Sequence, residues 1–120
     1  MLLNLLLKSV FQRERPDLLP LVNEPTFSFP SGHAMNSMIF FAALSYFIFY
    51  HMNHMRTGRI LIAVSVVLIF LIGISRIYLG AHYPTDVVAG YVAGLLWFFI
   101  VVFFEKSVSF LQIFRIKSRK

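Results

Sequence analysis

Three long apolar runs, each free of charged residues, constrain this chain more than any other feature of its sequence. They cover residues 34–50, 60–75 and 87–104, with lengths of 17, 16 and 18 residues. A membrane-spanning helix needs about 20 apolar residues, within a working range of about 17–25. The middle run is short, but the stems of the flanking Arg59 and Arg76 can lie in the apolar zone while their charged heads reach water. We therefore predict three transmembrane helices.

The composition agrees with this prediction and argues against two other classes of protein. Charged residues make up only 13% of the 120 residues and hydrophobic residues 58%, whereas a soluble domain carries about 25% charged residues. Disordered chains are poor in aromatic residues, which here reach 17%. A soluble domain of this length has too small a core to bury so many apolar side chains. The expected fold class is all-α, a multi-pass transmembrane helical bundle.

The segments around the apolar runs are expected to be a helix remnant, a loop and turns. Residues 1–7 lack the basic start and cleavage site of a signal peptide and are typical of the last turns of a helix. Residues 13–32 are rich in helix breakers and predict an interfacial loop. Their prolines are Pro16, Pro20, Pro25 and Pro30. We expect residues 1–120 to form a single membrane domain that is truncated at its N-terminus.

The basic residues predict the orientation of the chain in the membrane. Seven lie in the loop 51–59 and the tail 106–120, and four lie in the segments on the other side. The seven are Arg56, Arg59, Lys106, Arg115, Lys117, Arg119 and Lys120, and the four are Lys8, Arg13, Arg15 and Arg76. The positive-inside rule places the loop and tail in the cytoplasm, and segments 8–32 and 76–86 at the extracytoplasmic face. Because this rule accounts for the net charge of +6, we expect no nucleic-acid partner.

The reactive residue types gather in the two extracytoplasmic segments. They are Lys8, Arg15, Ser31, Gly32, His33, Ser75, Arg76, His82 and Asp86. Three cations suit a multiply charged anion such as phosphate, because the planar fork of arginine matches phosphate oxygens. Ser31 and Gly32 directly precede a predicted helix, whose N-terminal N–H groups favour a phosphate.

Two histidines and a carboxylate are candidates for catalysis. His82 and Asp86 are four residues apart with Pro84 between them, so His82 is expected just before or within the first turn of a helix. A carboxylate bonded to one ring nitrogen leaves the other available as a nucleophile, and His33 can act as general acid. Less specific interpretations are a solvated His82–Asp86 ion pair, a helix cap at residues 30–33, and interfacial anchors at Lys8 and Arg15.

A metal site is the chemical rival of this interpretation. His33, His82 and Asp86 could supply three ligands. The cations Lys8, Arg15 and Arg76 would then surround a divalent metal ion with positive charge. We therefore expect no metal and no cofactor, and keep a metal-dependent membrane hydrolase as an alternative.

Three motifs in this order resemble the signature of the type 2 phosphatidic acid phosphatase (PAP2) superfamily. The first is a lysine, six residues and Arg-Pro; the second is Pro-Ser-Gly-His; the third is Ser-Arg, five residues, a histidine, three residues and an aspartate. Here they are Lys8 with Arg15-Pro16, Pro30-Ser31-Gly32-His33, and Ser75-Arg76 with His82 and Asp86. All eleven specified positions are occupied. Because several motifs match together, the resemblance is far more specific than a single short motif.

The resemblance implies a role for each matching residue. It implies that His82 is the nucleophile of a phosphohistidine intermediate, that Asp86 orients it, and that His33 protonates the leaving group. It assigns phosphate binding to Lys8, Arg15, Ser31, Gly32 and Arg76, and needs no metal. The substrates implied are lipid phosphates or pyrophosphates of the phosphatidic acid, phosphatidylglycerol phosphate or polyprenyl pyrophosphate type.

The resemblance also bears on how complete the domain is. Membrane members of the family have further spanning helices before the first motif, so this chain resembles their C-terminal half. We therefore keep a second class of function open, a catalytically silent membrane fragment or subunit. Such a chain would associate with the missing N-terminal helices or with itself.

Overall fold

The described part of the chain is entirely helical in its regular structure. The computed structural model describes residues 2–16, 25–52 and 56–117, with side chains as far as residue 108. Its elements are α1 (Leu2–Phe11), α2 (Gly32–Met52), α3 (Arg56–Tyr78) and α4 (Pro84–Lys117). The predicted all-α class is confirmed. Helices α2, α3 and α4 contain the three apolar runs, and α1 contains most of the predicted helix remnant.

Three of the helices can cross a membrane. Gly32–Met52, Arg56–Tyr78 and Pro84–Val108 are long and apolar enough to do so, with 21, 23 and 25 residues. At about 1.5 Å per residue, each covers a hydrocarbon core of about 30 Å. Helix α3 extends through both Arg59 and Arg76, which removes the difficulty posed by the short middle run.

The structure adds a helical extension at the C-terminal end and agrees with the predicted loop. Helix α4 continues beyond the third apolar run into the basic tail, residues 106–120, as far as Lys117. No glycine or proline follows Gly94, so no helix breaker ends α4 earlier. In the predicted interfacial loop, residues 12–16 and 25–31 are non-helical as expected. The rest of that loop, residues 17–24, lies outside the described residues.

Glycines on α4 let it approach α2 closely. Helix α2 packs against both α3 and α4, which have few contacts with each other. A Cβ atom on Gly90 would lie 2.6 Å from the Ser31 carbonyl oxygen, and one on Gly94 would lie 2.6 Å from the Met35 carbonyl oxygen. Membrane helices associate closely at such small residues. The contact holds the N-terminus of α2 against the first turns of α4.

Apolar and polar side chains are distributed in the opposite sense to a soluble domain. Phe40, Phe47 and Phe49 are about 60% exposed on α2, as expected for side chains that face lipid. Several polar side chains are buried instead. They are Asn4, Lys8, Ser28, Ser31, Ser37, Ser65, His82 and Asp86. Most of these lie at the end of the bundle where α2 begins, α3 ends and α4 begins, so that end contains the candidate site.

Candidate active site

The turn between α3 and α4 positions His82 and Asp86. Helix α3 ends at Tyr78, and Gly80 then adopts a φ of 66°, which glycine does at little cost. His82 follows in the turn, and Asp86 lies in the first turn of α4. Their exposed fractions are 2% and 0%. The structure therefore places His82 just before the helix, as Pro84 predicted, and excludes a solvated His82–Asp86 ion pair.

Asp86 also fixes the start of α4. Its Oδ2 accepts the backbone N–H of Tyr83 at 2.9 Å, the contact that the third residue of a helix makes back to its N-cap. Pro84 occupies the first helical position, where its missing N–H costs nothing. The carbonyl of Asp86 accepts the backbone N–H of Ser31 at 2.9 Å. Two helix N-termini, those of α2 and α4, are thus joined at this residue.

Ser28 lies between the carboxylate and the imidazole. The Nδ1 of His82 is 3.7 Å from Oδ2 of Asp86, which is too long for a direct hydrogen bond. The Oγ of Ser28 is 2.5 Å from that Oδ2 and 3.4 Å from Nδ1. Sequence reasoning did not identify Ser28. Its one signal is a lone hydroxyl between Phe27 and Phe29, two residues before the second motif.

Arg13 is the second partner that sequence reasoning missed. Its Nη1 lies 2.8 Å from Oδ1 of the fully buried Asp86 and 2.8 Å from Oγ1 of Thr85. Its guanidinium stacks over the Tyr83 ring, 4.1 Å from the centroid. The sequence places it within the first motif, among the unspecified positions, so no pattern distinguished it from an interfacial arginine. Its positive charge balances the carboxylate of Asp86 in a buried environment.

The second motif lies at the N-terminus of α2. Ser31 is fully buried, and its Oγ accepts the N–H of Ala34 at 3.4 Å, as an N-cap does. A Cβ on Gly32 would lie 3.1 Å from Oδ1 of Asn4 on α1. His33 is exposed on the first turn of α2. The helix-cap interpretation is therefore correct for Ser31, and it is compatible with an exposed His33 beside the site.

Lys8 and Arg15 converge on one short segment of the loop. The Nζ of Lys8, which is 7% exposed, donates to Oγ1 of Thr26 at 3.1 Å and to the carbonyl of Phe27. Arg15 donates through Nε to the carbonyl of Thr26 at 2.7 Å and through Nη1 to the carbonyl of Ala81, also at 2.7 Å. Arg15 therefore contacts the residue before His82, which a simple interfacial anchor would not do.

Arg76 reaches the same turn through its backbone. Its carbonyl accepts the N–H of Ala81 at 3.2 Å, and its Nε lies 3.4 Å from Oγ of Ser75. The side chain is half-buried near the end of α3. All eight predicted site residues thus lie at one end of the bundle. Within this set, the side chains of His82 and Asp86 approach each other to 3.7 Å.

Charged side chains at this end of the bundle surround a cavity. A cavity of about 520 Å³ is lined by Lys8, Arg13, Glu14 and Arg15 beside residues 25–27. Within residues 2–16, 25–52 and 56–117, no group of three or more His, Cys, Asp or Glu side chains could hold a metal ion. The trio of potential metal ligands considered from the sequence is therefore not assembled there. The arrangement instead provides a buried imidazole with a carboxylate beside it, at the end of the bundle that also contains Lys8, Arg13 and Arg15.

Comparison with known proteins shows the family to which this chain is related. A family model described as the PAP2 superfamily matches residues 1–108. Phosphatidylglycerophosphatase B of Bacillus subtilis is 43% identical over 108 residues, which are 89% of this chain and 53% of that protein. Lipid A 1-phosphatase of Rhizobium johnstonii is 36% identical over 103 residues, 78% of this chain and 38% of that protein. The chain thus spans about half the length, or less, of these relatives.

A solved structure agrees with the sequence comparison. The crystal structure of a transmembrane PAP2-type phosphatidylglycerolphosphate phosphatase from Bacillus subtilis superposes with a TM-score of 0.79 at 42% identity. It covers 89% of this chain, and this chain covers 54% of it. With its three apolar helices, the chain is an integral membrane protein. Since the family model matches most of the sequence and a solved member shares its fold, the chain belongs to the PAP2 superfamily.

Proposed function

We propose that this chain hydrolyses lipid phosphate monoesters or pyrophosphates without a metal, through a phosphohistidine formed on His82. The observation that carries the proposal is the buried His82 with Asp86 behind its Nδ1 edge, at the end of the bundle where the cations gather. An imidazole held in this way has its Nε2 on the opposite edge of the ring. That nitrogen is the proposed nucleophile.

The first chemical step transfers the phosphoryl group to His82. The Nε2 lone pair forms a bond to phosphorus while the bond from phosphorus to the leaving oxygen breaks. His33 donates a proton to that oxygen as the electron pair moves onto it. Its exposed position on the first turn of α2 leaves the ring accessible to a substrate at the helix N-terminus.

The second step releases inorganic phosphate. His33, now neutral, takes a proton from water as the water oxygen attacks phosphorus. The phosphorus–nitrogen bond breaks, and its electron pair returns to Nε2 of His82. Both histidines are then in their starting protonation states, so no oxidant, reductant or metal enters the balance.

Charge neutralisation must supply most of the acceleration. Phosphomonoester hydrolysis needs accelerations approaching about 10²¹, of which general acid catalysis gives only about 10²–10⁴. We assign the remainder to positioning and to the phosphate-binding set. That set is Lys8, Arg15, Ser31, Gly32 and Arg76. Contacts of Arg15 with the carbonyls of Thr26 and Ala81 support a position for its guanidinium beside His82.

The membrane setting and the relatives support a lipid substrate. Two of the relatives, phosphatidylglycerophosphatase B and lipid A 1-phosphatase, have the names of lipid phosphatases. A substrate whose apolar part stays in the bilayer would present its headgroup at the end of the spanning helices. The proposed substrates are phosphatidic acid, phosphatidylglycerol phosphate and polyprenyl pyrophosphates. We place the site on the extracytoplasmic face of the cell membrane, with the basic loop 51–59 and the C-terminal tail in the cytoplasm.

A second candidate function is a catalytically silent membrane subunit. The observation that favours it is that the chain spans 53% of the Bacillus subtilis relative. Such a subunit would need a separate N-terminal half or a second copy to complete its bundle. Large apolar side chains exposed on α1, such as Leu2 at 78% and Val10 at 74%, provide a surface for that association.

Phosphate release distinguishes these functions. Membranes carrying the full chain would be assayed with the three substrate classes in excess EDTA, beside membranes carrying His82→Ala. Release that survives EDTA and disappears in the variant supports metal-free histidine catalysis. Loss of release in EDTA points to the metal-dependent alternative. If the folded wild-type chain releases no phosphate alone but does so when an N-terminal half is added, the result supports the subunit.

A further inference from the structure

The geometry points to Ser28 as a positioning residue that links Asp86 to His82 and fixes which ring nitrogen of His82 carries the proton. This inference rests on the proposed function for its catalytic consequence. Its structural content concerns only three side chains, Ser28, His82 and Asp86. All three are at most 2% exposed, so water does not compete for their hydrogen bonds.

Asp86 is an acceptor in this cluster. Arg13 lies 2.8 Å from its Oδ1, which is the geometry of a charge-assisted pair with an ionised carboxylate. The other oxygen, Oδ2, accepts the N–H of Tyr83 at 2.9 Å. An ionised carboxylate has no proton to give. Every contact that Asp86 makes must therefore come from a donor on its partner.

The hydroxyl of Ser28 has one proton, and its position assigns that proton to Asp86. The separation of Ser28 Oγ from Oδ2 is 2.5 Å, at the short end of the range for a hydroxyl bonded to a carboxylate. Only lone pairs of Oγ then remain for the 3.4 Å contact with Nδ1 of His82. Nδ1 must accordingly carry a hydrogen.

The charge of Asp86 favours the same tautomer. At 3.7 Å, Nδ1 is too far from Oδ2 for a hydrogen bond, but the negative charge on that side of the ring favours a hydrogen on Nδ1. With the hydrogen on Nδ1, the lone pair of a neutral imidazole lies on Nε2. Ser28 thus holds His82 in the tautomer that can attack phosphorus. In the phosphohistidine, the Ser28 hydroxyl and the Asp86 carboxylate would lie beside the positively charged ring.

The long Ser28–His82 contact is compatible with this role. Catalytic hydrogen bonds are often long in the absence of substrate and shorten in the complex. The backbone restrains Ser28 from the side of Arg13, since the N–H of Ser28 donates to the carbonyl of Arg13 at 2.8 Å. Two residues between α1 and α2 therefore bond to the Asp86 carboxylate, the guanidinium of Arg13 at Oδ1 and the hydroxyl of Ser28 at Oδ2.

Three substitutions of Ser28 separate hydrogen bonding from packing. Ser28→Ala removes the hydroxyl, Ser28→Cys keeps a side chain of similar shape with a weak donor, and Ser28→Thr keeps a hydroxyl. The matched control is Ser65→Ala, a serine that is 3% exposed and bonds only within α3, to the carbonyl of Leu61 at 2.9 Å. Thermal unfolding in detergent identifies any variant that fails to fold.

Kinetics on vesicles containing phosphatidic acid provide the first measurement. We expect kcat to fall about 10- to 100-fold in Ser28→Ala and Ser28→Cys, as when an outer partner of a functional histidine is removed. KM should change little, because Ser28 is buried behind the ring. Ser28→Thr should recover most of the lost turnover, and Ser65→Ala should match wild type. Wild-type kcat in folded Ser28→Ala would overturn the inference.

Nitrogen NMR of the ¹⁵N-histidine-labelled full chain provides the second measurement, and it does not depend on activity. The His82 signals are assigned by their loss in His82→Asn. Wild-type His82 should be the Nδ1–H tautomer, and Ser28→Ala should shift the population toward the Nε2–H tautomer. Wild-type His82 in the Nε2–H form, or an unchanged population in Ser28→Ala, contradicts the linking role. Inactive wild-type protein with the expected tautomers would instead overturn the proposed function alone.

Discussion

Arg13 and Asp86 form an ion pair across the candidate site, with Nη1 2.8 Å from Oδ1 and the carboxylate completely buried. The arginine comes from the segment after α1, and the aspartate from the first turn of α4. A buried charge that loses its partner is strongly destabilising, whereas an exposed pair contributes little. Because the arginine side chain is 40% exposed, this pair lies between those limits.

Removing the guanidinium should therefore reduce both stability and activity. We expect Arg13→Gln to lower the free energy of unfolding by about 1–3 kcal/mol, the cost of an unsatisfied buried acceptor, and to reduce kcat at least about 10-fold. Arg13→Lys should have an unfolding free energy and a kcat between those of wild type and Arg13→Gln. Lysine keeps the positive charge but lacks the planar guanidinium, which stacks on aromatic rings and donates several hydrogen bonds in a fixed geometry. Thermal unfolding and phosphate release measure the two effects. Arg56→Gln, at an exposed position, is the control, and equal behaviour of Arg13→Gln and this control would contradict the assignment.

Arg13 and Ser28 also show where sequence reasoning reaches its limit. Neither belongs to the specified motif positions, and an arginine or serine in a loop has no local periodicity to reveal a partner. Both contact Asp86, 73 and 58 residues away in the chain. The close packing of α2 on α4 brings the loop between α1 and α2 to that carboxylate. This packing depends on residues from several segments, so the sequence pattern of one segment cannot predict it.

The helices themselves were more predictable, because a bilayer permits few alternatives. Backbone polar groups must be satisfied within each spanning segment, so a long apolar run becomes a helix. The structure extends the predicted helices into their polar flanks, most clearly at Arg59 and Arg76 in α3. The ends of the helices depend on helix breakers rather than on hydropathy, which is why α4 continues into the basic tail as far as Lys117.

The close contact at Gly90 predicts a strict size limit. A Cβ there would lie 2.6 Å from the Ser31 carbonyl oxygen and 3.0 Å from Cβ of Ala34. Gly90→Ala should therefore push α2 away from α4, with a cost of about 1–3 kcal/mol in unfolding free energy. Because the N–H of Ser31 bonds to Asp86, turnover should fall as well.

The control for the size effect at Gly90 is a substitution that enlarges an exposed side chain elsewhere on α4. Val92 is 54% exposed, so Val92→Ile adds a methylene group without meeting α2. Unfolding temperature and phosphate release should both stay at the wild-type level in this variant. If Gly90→Ala also stays at that level, the contact between α2 and α4 does not position the site.

The proposed acid role of His33 predicts a dependence on the leaving group. With phosphatidic acid, His33→Ala should lose about 10²–10⁴ in turnover, the contribution of general acid–base catalysis. With p-nitrophenyl phosphate, the leaving group departs without a proton, so formation of the phosphohistidine should be affected much less. His33 would still be needed to activate water, so the variant should release one equivalent of p-nitrophenol in a burst and then turn over slowly.

Rapid-mixing measurement of p-nitrophenol tests this prediction. His51→Ala, an exposed histidine at the other end of α2, is the matched control and should behave as wild type. His82→Ala should show neither burst nor turnover. Equal losses of His33→Ala on both substrates, with no burst, would assign His33 to binding rather than to proton transfer.

The absence of cysteine from the sequence makes the proposed orientation directly measurable. Ser9 lies on α1 near the candidate site, and Thr57 lies at the start of α3 at the opposite end of the bundle. In intact cells, a membrane-impermeant maleimide should label Ser9→Cys, whereas Thr57→Cys should react only after the cells are permeabilised. The reverse pattern would place the site in the cytoplasm, and the charge distribution would then not follow the positive-inside rule. Retained phosphate release in both variants ensures that the orientation measured is that of the active protein.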